Sequence, residues 1–520
     1  MHFKNWTPAC TGVTKLVWTA LLAVLMSAPT LAIEVPASKD IATWTTAIAN
    51  GLDVDTTEID GTTVLMRAIH ERNTELAALL IINGADITRS NRYGITALNL
   101  AARTGSADIT RLLLAAGVDA NSINTEGETA LMTAAGNGHV EVIKLLLAGT
   151  GTGGNTLLSR PADPNILDGW KGQTALMWAA AHGYTEAAIA LIDGGAEVNL
   201  RSSVINIAPV DPEHFQGGFV YTDVPKGRMT ALHFAAREGK LDTVQALLAH
   251  GSDPNIVDDD STSAAIIAIL NGHLEIARIL LEAGTDPNLV DRWGRNVVFV
   301  ATDLNTMDAN PRPTPKILGT TSPVDIVKLA LAKGANPNLP LKKGLPNWLV
   351  VGGTHNPILQ EGATAFFRAC MSGDIELQRI LLAAGADPKL NTTERPGKET
   401  AGMLIPTNGG TTPLMVAAGL SWRTGLSRGR EEDAIATMSM LLDEFGADIN
   451  AANQSGDTAL HGAVMKGSLA IVEFLLARGA NLDAINAKKL RPLDIAMGQP
   501  GLGIVANPTL VELLSRKQNN

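Results

Sequence analysis

A run of closely spaced glycines, Gly149-Thr-Gly-Thr-Gly-Gly154, has the composition of a loop that cradles a phosphate. Phosphate chemistry needs more than composition: a strand before the loop, a helix after it, and a Lys-Ser/Thr pair or a dinucleotide-binding unit around it. Here the glycines follow an expected helix, Val140 to Leu147, and no such unit is present. Three consecutive carboxylates, Asp258 to Asp260, offer the hard oxygens that calcium takes, but they lack the spaced ligands of a calcium loop. They sit where a turn is expected, so a solvated turn is the reading preferred there. The ten histidines form no His-x-x-x-His pair and no Glu-His zinc arrangement. No Gly-x-Ser-x-Gly elbow occurs either, and no Cys/His pair is placed by motif. These residues therefore predict no catalytic group, no metal and no cofactor.

The chain that must position whatever chemistry exists has 520 residues, 45% of them apolar and only 4% aromatic. Ala and Leu must fill most of its core. A formal charge of −11 argues against nonspecific nucleic-acid binding, which draws on an excess of Lys and Arg. Lys4 and Lys15 precede an apolar run, Leu16 to Met26, too short to span a bilayer, and Thr30-Leu31-Ala32 is a small-residue cleavage site. Residues 1–32 are thus expected to be a secretory signal peptide, leaving residues 33–520 as the exported chain. Loss of the two lysines would take its charge from −11 to −13. Cys10 would leave with the leader; Cys370 would remain as a lone thiol, read as a small buried side chain.

Spacing carries the strongest signal. Gly61, Gly94 and Gly127 open Gly-x-Thr-x-Leu segments 33 residues apart, and the pattern returns at Gly172, Met229, Ser263, Gly362, Gly410 and Gly456. Each Thr is a helix N-cap signal. An Ala-rich helix follows, and a mid-unit glycine (Gly105, Gly138, Gly239, Gly272) ends it in the left-handed region. A second helix with Leu/Ile at i, i+3 and i+4 stops at another glycine, and an Asp/Asn-rich segment turns into the next unit. One such hairpin cannot bury its apolar face alone, so neighbours must stack.

These units resemble ankyrin repeats. Asn91-Arg-Tyr-Gly, Gly127-Glu-Thr-Ala-Leu-Met-Thr-Ala-Ala and Gly172-Gln-Thr-Ala-Leu-Met-Trp-Ala-Ala-Ala are similar to segments of secreted or periplasmic bacterial multi-ankyrin proteins. The resemblance implies an all-α ankyrin-repeat solenoid of helix-turn-helix units with β-turn fingers, interrupted by several loop insertions. About eleven units are read, near 60–91, 92–124, 125–167, 170–200, 227–257, 259–290, 292–339, 361–390, 409–452 and 454–486, with a C-terminal cap near 487–517. Long insertions fall near 149–162, 202–225, 305–322, 340–360, 391–408 and 420–433. The 68 residues between Asn296 and Thr364 read as one expanded repeat, since the second Thr-Ala-Leu motif is missing. Insertions leave a solenoid through surface loops and can form a functional rim or reflect drift at tolerant positions.

Membership in this family implies a concave binding surface lined by finger tips and inner-helix ends, and no enzyme. Finger positions carry Arg92, Tyr93, Trp170, Lys171, Arg292, Trp293 and Arg295; inner-helix ends carry Arg103, His182, Arg237 and Glu238. Aromatic and Arg side chains are the types that dominate interface hot spots. Trp178, in Leu-Met-Trp-Ala-Ala, reads as inter-repeat core, and Trp348 and Trp422 as anchors of insertions. His233 and His461, fourth in Thr-Ala-Leu-His, are expected to hydrogen-bond within the hairpin. The function expected is a non-enzymatic protein–protein interaction scaffold outside the cytoplasm, periplasmic or secreted. It would be monomeric, with an unidentified and locally acidic protein partner, no nucleic acid and no integral membrane segment after leader cleavage. Two alternatives stay open: a secreted effector acting on another cell, and a hydrolase or ligand site built from the insertions around His214 and His355.

Overall fold

The computed structural model of the protein describes residues 36, 40–148, 160–204, 227–306, 315–343, 360–394, 398–400, 403–405, 409–420, 429–498 and 505–518. The expected leader, the Gly149–Gly154 run, His214, Pro311 to Thr314, Trp348, His355 and Trp422 lie outside the described residues. Contacts divide the chain into two compact units, residues 1–119 with 150–159, and residues 120–149 with 160–520.

In the first unit, α1 (Ile41–Ala49) precedes two hairpins, α2 (Val64–His70) with α3 (Thr74–Ile82) and α4 (Ala97–Thr104) with α5 (Ala107–Ala115). Like packs on like: α2 against α4 and α3 against α5, with α1 against α3. Trp44, Leu65, Ile69, Leu80 and Leu98 are buried between them.

The second unit repeats the hairpin eight times among the described residues. Its first helices are α6 (Ala130–Gly136), α8 (Ala175–His182), α10 (Ala231–Arg237), α12 (Ala264–Leu270), α14 (Val297–Thr306), α16 (Ala365–Ser372), α18 (Pro413–Ala418) and α20 (Ala459–Lys466). Their partners are α7 (Val140–Ala148), α9 (Thr185–Asp193), α11 (Leu241–Ala249), α13 (Leu274–Glu282), α15 (Pro323–Ala332), α17 (Ile375–Ala383), α19 (Glu431–Asp443) and α21 (Leu469–Ala477). Two further helices, α22 (Pro492–Ala496) and α23 (Pro508–Gln518), close the chain. The first helices pack one on the next from α6 through to α22. One helix pair, α14 with α15, lies between Asn296 and Thr364. Among the described residues the one two-stranded sheet is a short antiparallel hairpin, Lys398–Thr400 with Met403–Ile405, beside isolated antiparallel bridges such as Thr57 with Thr63 and Val257 with Ser263.

Local sequence explains why each hairpin forms. Thr174 Oγ1 accepts the N–H of Met177 at 3.3 Å, and Thr364 Oγ1 that of Phe367 at 3.2 Å, each satisfying a helix-start donor. At α14 an asparagine replaces the hydroxyl residue: Asn296 Oδ1 takes the N–H of Phe299 at 2.9 Å. The mid-unit glycines end the helices with φ near +70 to +80°: Gly105 at 70°, Gly138 at 73°, Gly239 at 71° and Gly272 at 80°. Helices of seven to nine residues are marginal alone, so tertiary packing holds them. The Ala pairs make that packing close: Ala134, Ala135, Ala179, Ala180, Ala235 and Ala236 are all fully buried.

An asparagine ladder stitches the far ends of the hairpins in the second unit. Asn255 Nδ2 donates to the Gly284 carbonyl at 3.2 Å, while its Oδ1 accepts the Asp286 N–H at 2.7 Å. The same amide bridge is made by Asn121, Asn165, Asn199, Asn288, Asn338 and Asn450 to the following repeat. Lys389 stands at the equivalent position between Asn338 and Asn450. There Arg379 of α17 pairs instead with Glu444 at the end of α19, with Nη1 to Oε2 at 2.5 Å.

Candidate functional site

The finger tips are built by one carboxylate or amide per repeat. Asp168 Oδ1 accepts the backbone N–H groups of Trp170 (3.0 Å), Lys171 (2.7 Å) and Gly172 (2.9 Å). Asp291 Oδ1 does the same for Trp293 and Arg295, both at 2.9 Å. In the first unit Asn91 Oδ1 takes Tyr93 at 3.0 Å and Ile95 at 3.1 Å. Asn and Asp suit this role because their short side chains reach their own backbone two residues on. Successive fingers are then tied by backbone bonds. Arg92 N–H reaches the Asp60 carbonyl at 2.9 Å in the first unit, and Arg292 N–H the Asp260 carbonyl at 2.9 Å in the second.

On this frame the predicted contact residues take different places. Tyr93 is 53% exposed and lies beneath the Arg92 guanidinium, 4.7 Å from it, with the two side chains also hydrogen-bonded. Arg103 is exposed at the end of α4. Trp170 is 80% exposed, and Lys171 Nζ sits 4.2 Å above its ring. Arg292 stacks 5.1 Å from the half-buried Trp293 ring, but its Nη1 also binds Asp260 Oδ1 at 3.1 Å. Arg295 Nε binds the buried Asp291 at 2.7 Å, and Arg237 Nε pairs with Glu238 at 2.9 Å while lying over Phe234. Three of the predicted cations in the second unit are thus neutralised from within, while Lys171 is in a cation–π contact. Arg92, Tyr93 and Arg103 belong to the first unit and the remaining six to the second.

Around α8 the structure moves Trp178, leaves His182 exposed at its inner-helix end, and adds Tyr184. Trp178 is half-buried rather than core, because its ring lies over Gly136 of α6, where a Cβ would meet it at 2.8 Å. Its indole N–H donates to the second oxygen of Asp168 at 3.2 Å. His182 stacks on Tyr184 with ring centres 5.9 Å apart and planes 8° from parallel, and Tyr184 rests on Gly138. Tyr184 escaped the sequence reading. Its signal was positional: in three successive repeats the residue after the mid-unit glycine covers the mid-unit glycine of the repeat before, Tyr184 over Gly138, Lys240 over Gly183 and His273 over Gly239.

Buried titratable groups serve the stack. His233 Nδ1 meets Thr230 Oγ1 at 2.8 Å and its Nε2 meets the Thr262 carbonyl at 3.2 Å, so it ties its helix start to the next repeat as well as to its own. Burial pushes this imidazole down to about 4 and keeps it neutral. His461 repeats the arrangement with Thr458 and Leu490, and burial lowers it too. Asp258, expected to be solvated, is buried; that burial raises its pKa although it accepts the N–H groups of Asp260 and Thr262. Cys370 is buried and its thiol is pushed well up. Among the described residues, no group of three or more His, Cys, Asp or Glu is placed to hold a metal ion.

Capped helix hairpins stacked like on like, with hydrogen-bonded fingers, define a helical repeat protein whose finger tips carry the most exposed aromatic side chains among the described residues. A family model described as ankyrin repeats matches residues 31–124, 108–202, 215–291 and 428–517, and the chain belongs to that family. No curated protein matches it. Membership makes the chain a protein–protein interaction module. Among the described residues no helix is long and apolar enough to cross a membrane.

Proposed function

We propose that the protein is a non-enzymatic scaffold that binds a protein partner outside the cytoplasm. The observation that carries this reading is Trp170, a tryptophan 80% exposed in a chain with few aromatic residues and held rigidly by the Asp168 turn. Exposed indoles on rigid frames combine large contact area with little ordering cost, the character of interface hot spots. The proposed contact residues are Trp170, Lys171, Arg237, Arg292, Trp293 and Arg295 on the second unit and Arg92, Tyr93 and Arg103 on the first. Arg292 and Arg295, held by Asp260 and Asp291, fix the finger that presents Trp293. Export rests on the leader read in residues 1–32, and the scaffold acts as a monomer without a cofactor. Double substitution of Trp170 and Trp293 to Ala tests the reading: the partner should no longer co-purify while thermal unfolding stays nearly unchanged. Recovery of the partner by the double variant would remove these fingers from the site.

A further inference from the structure

Two independent patterns narrow the binding face within the second unit. The first is exposure at the position just before the mid-unit glycine, eight residues after each cap. Asn137, His182, Glu238 and Asn271 are all exposed there. Counted the same eight residues from the cap, Leu304, Ser372 and Leu420 are all buried, Lys466 of the last repeat is half-buried, and α16 is buried along its whole length. The faces of α14, α16 and α18 are therefore closed to a partner, and the open stretch of this unit ahead of them runs from α6 to α12.

The second pattern is charge. Within the open stretch Arg237 is neutralised by Glu238, and the Asp168 carboxylate is saturated by three backbone N–H groups and the Trp178 indole. Glu126, on the preceding finger, remains an exposed acid. Lys171 and Lys240 enter no ion pair among the described residues: Lys171 lies over Trp170, and the Lys240 chain lies over Gly183 with its ammonium beyond. The aromatic side chains of this repeat link the two cations step by step: Trp170 lies under Lys171, Trp178 shares Asp168 with the Trp170 turn, His182 bonds the Trp178 carbonyl and stacks on Tyr184, and Lys240 covers the Gly183 between them. Among the described residues, two lysines outside any ion pair and three exposed or half-buried rings thus fall in one repeat and its border with the next, in a chain of net charge −11.

We propose that the face made by Trp170, Lys171, Trp178, His182, Tyr184 and Lys240 is the docking site for an acidic segment of the partner, one with carboxylates for the two lysines and an apolar side chain for the rings. This rests on the reading of the chain as a protein-binding scaffold. Charge complementarity selects the partner: a basic segment gains nothing from Lys171 and Lys240 and meets a surface that already holds its own cations.

Fluorescence anisotropy with the full chain tests it. The probe is a fluorescein-labelled decamer of glutamate with one central phenylalanine; the control is a lysine decamer of the same design. The glutamate peptide should bind saturably, more weakly as salt rises, and the lysine peptide should not. Affinity should fall tenfold or more in Lys171→Glu and in Trp170→Ala, and less than twofold in Lys144→Glu, which makes the same charge change on outer helix α7. Thermal unfolding of each variant checks that it is folded. Equal weakening by Lys144→Glu, equal binding of the lysine peptide, or no saturation with the glutamate peptide would overturn the proposal. If the glutamate peptide fails while capture of the native partner still depends on Trp170, the scaffold stands and the acidic assignment falls. Failure of both removes the scaffold reading as well.

Discussion

At Asp168 one carboxylate accepts three backbone N–H groups and the indole N–H of Trp178, so it shapes the Trp170 finger and anchors the neighbouring helix together. Asp168→Ala leaves four donors without their partner, a cost of about 3 kcal/mol for a largely buried group. Denaturant unfolding should register that loss, and partner binding should fall with it, because Trp170 is no longer held. His233 makes a different prediction. Its folded pKa of about 4 lies below the ordinary value of 6.5, so between those limits the unfolded chain binds more protons. The stabilisation is fully present above about pH 6.5 and is lost as pH falls toward 4, with a size of about 3 kcal/mol. His461 is shifted in the same direction. Tm measured from pH 7 to pH 4.5 should therefore fall, and His233→Gln should flatten that dependence while lowering Tm at pH 7. An unchanged slope in His233→Gln would remove this histidine as a cause.

Hairpins of short helices, most of seven to nine residues, hold because caps, alanine contacts and turn ladders act together. Asn255→Ala deletes both bonds of one rung, to Gly284 and Asp286, and should cost about 1–2 kcal/mol because the rung is exposed. Comparison of its urea midpoint with wild type measures this; no shift would mean that the rungs add nothing to the stacking. At this scale the sequence was highly legible. Thr-Ala-Leu followed by a mid-unit glycine located the caps at Thr129, Thr174 and Thr364 and the left-handed ends at Gly105 and Gly138. Less legible was what passes from one repeat to the next. Asn255 looks like a turn residue in its own repeat, and its bridge depends on the Gly284 carbonyl one repeat away. Arg292 looks like an available cation, yet Asp260 lies 32 residues earlier and reaches it through the finger stacking. Pairings near one repeat length were the signal that could have found it. Trp178 was misplaced for a related reason: Gly136 gives it no side chain to pack against, so the ring covers backbone and stays half-open.

Across the whole molecule, the described residues form two compact units of stacked hairpins, with Tyr93 and Trp170 exposed on their fingers. If residues 1–32 are the export signal, the exported chain begins at Ile33 with two fewer positive charges. N-terminal sequencing of protein recovered from outside the cytoplasm should read Ile-Glu-Val-Pro; an intact Met1 on a cytoplasmic protein would contradict export. The scaffold reading itself meets its most direct test in a paired capture. Wild-type protein and the Trp170→Ala, Trp293→Ala double variant are cross-linked in their native compartment and purified side by side, with matched thermal unfolding. A protein partner recovered with the wild type should be absent from the variant. The same partner recovered in equal amount from both would contradict it.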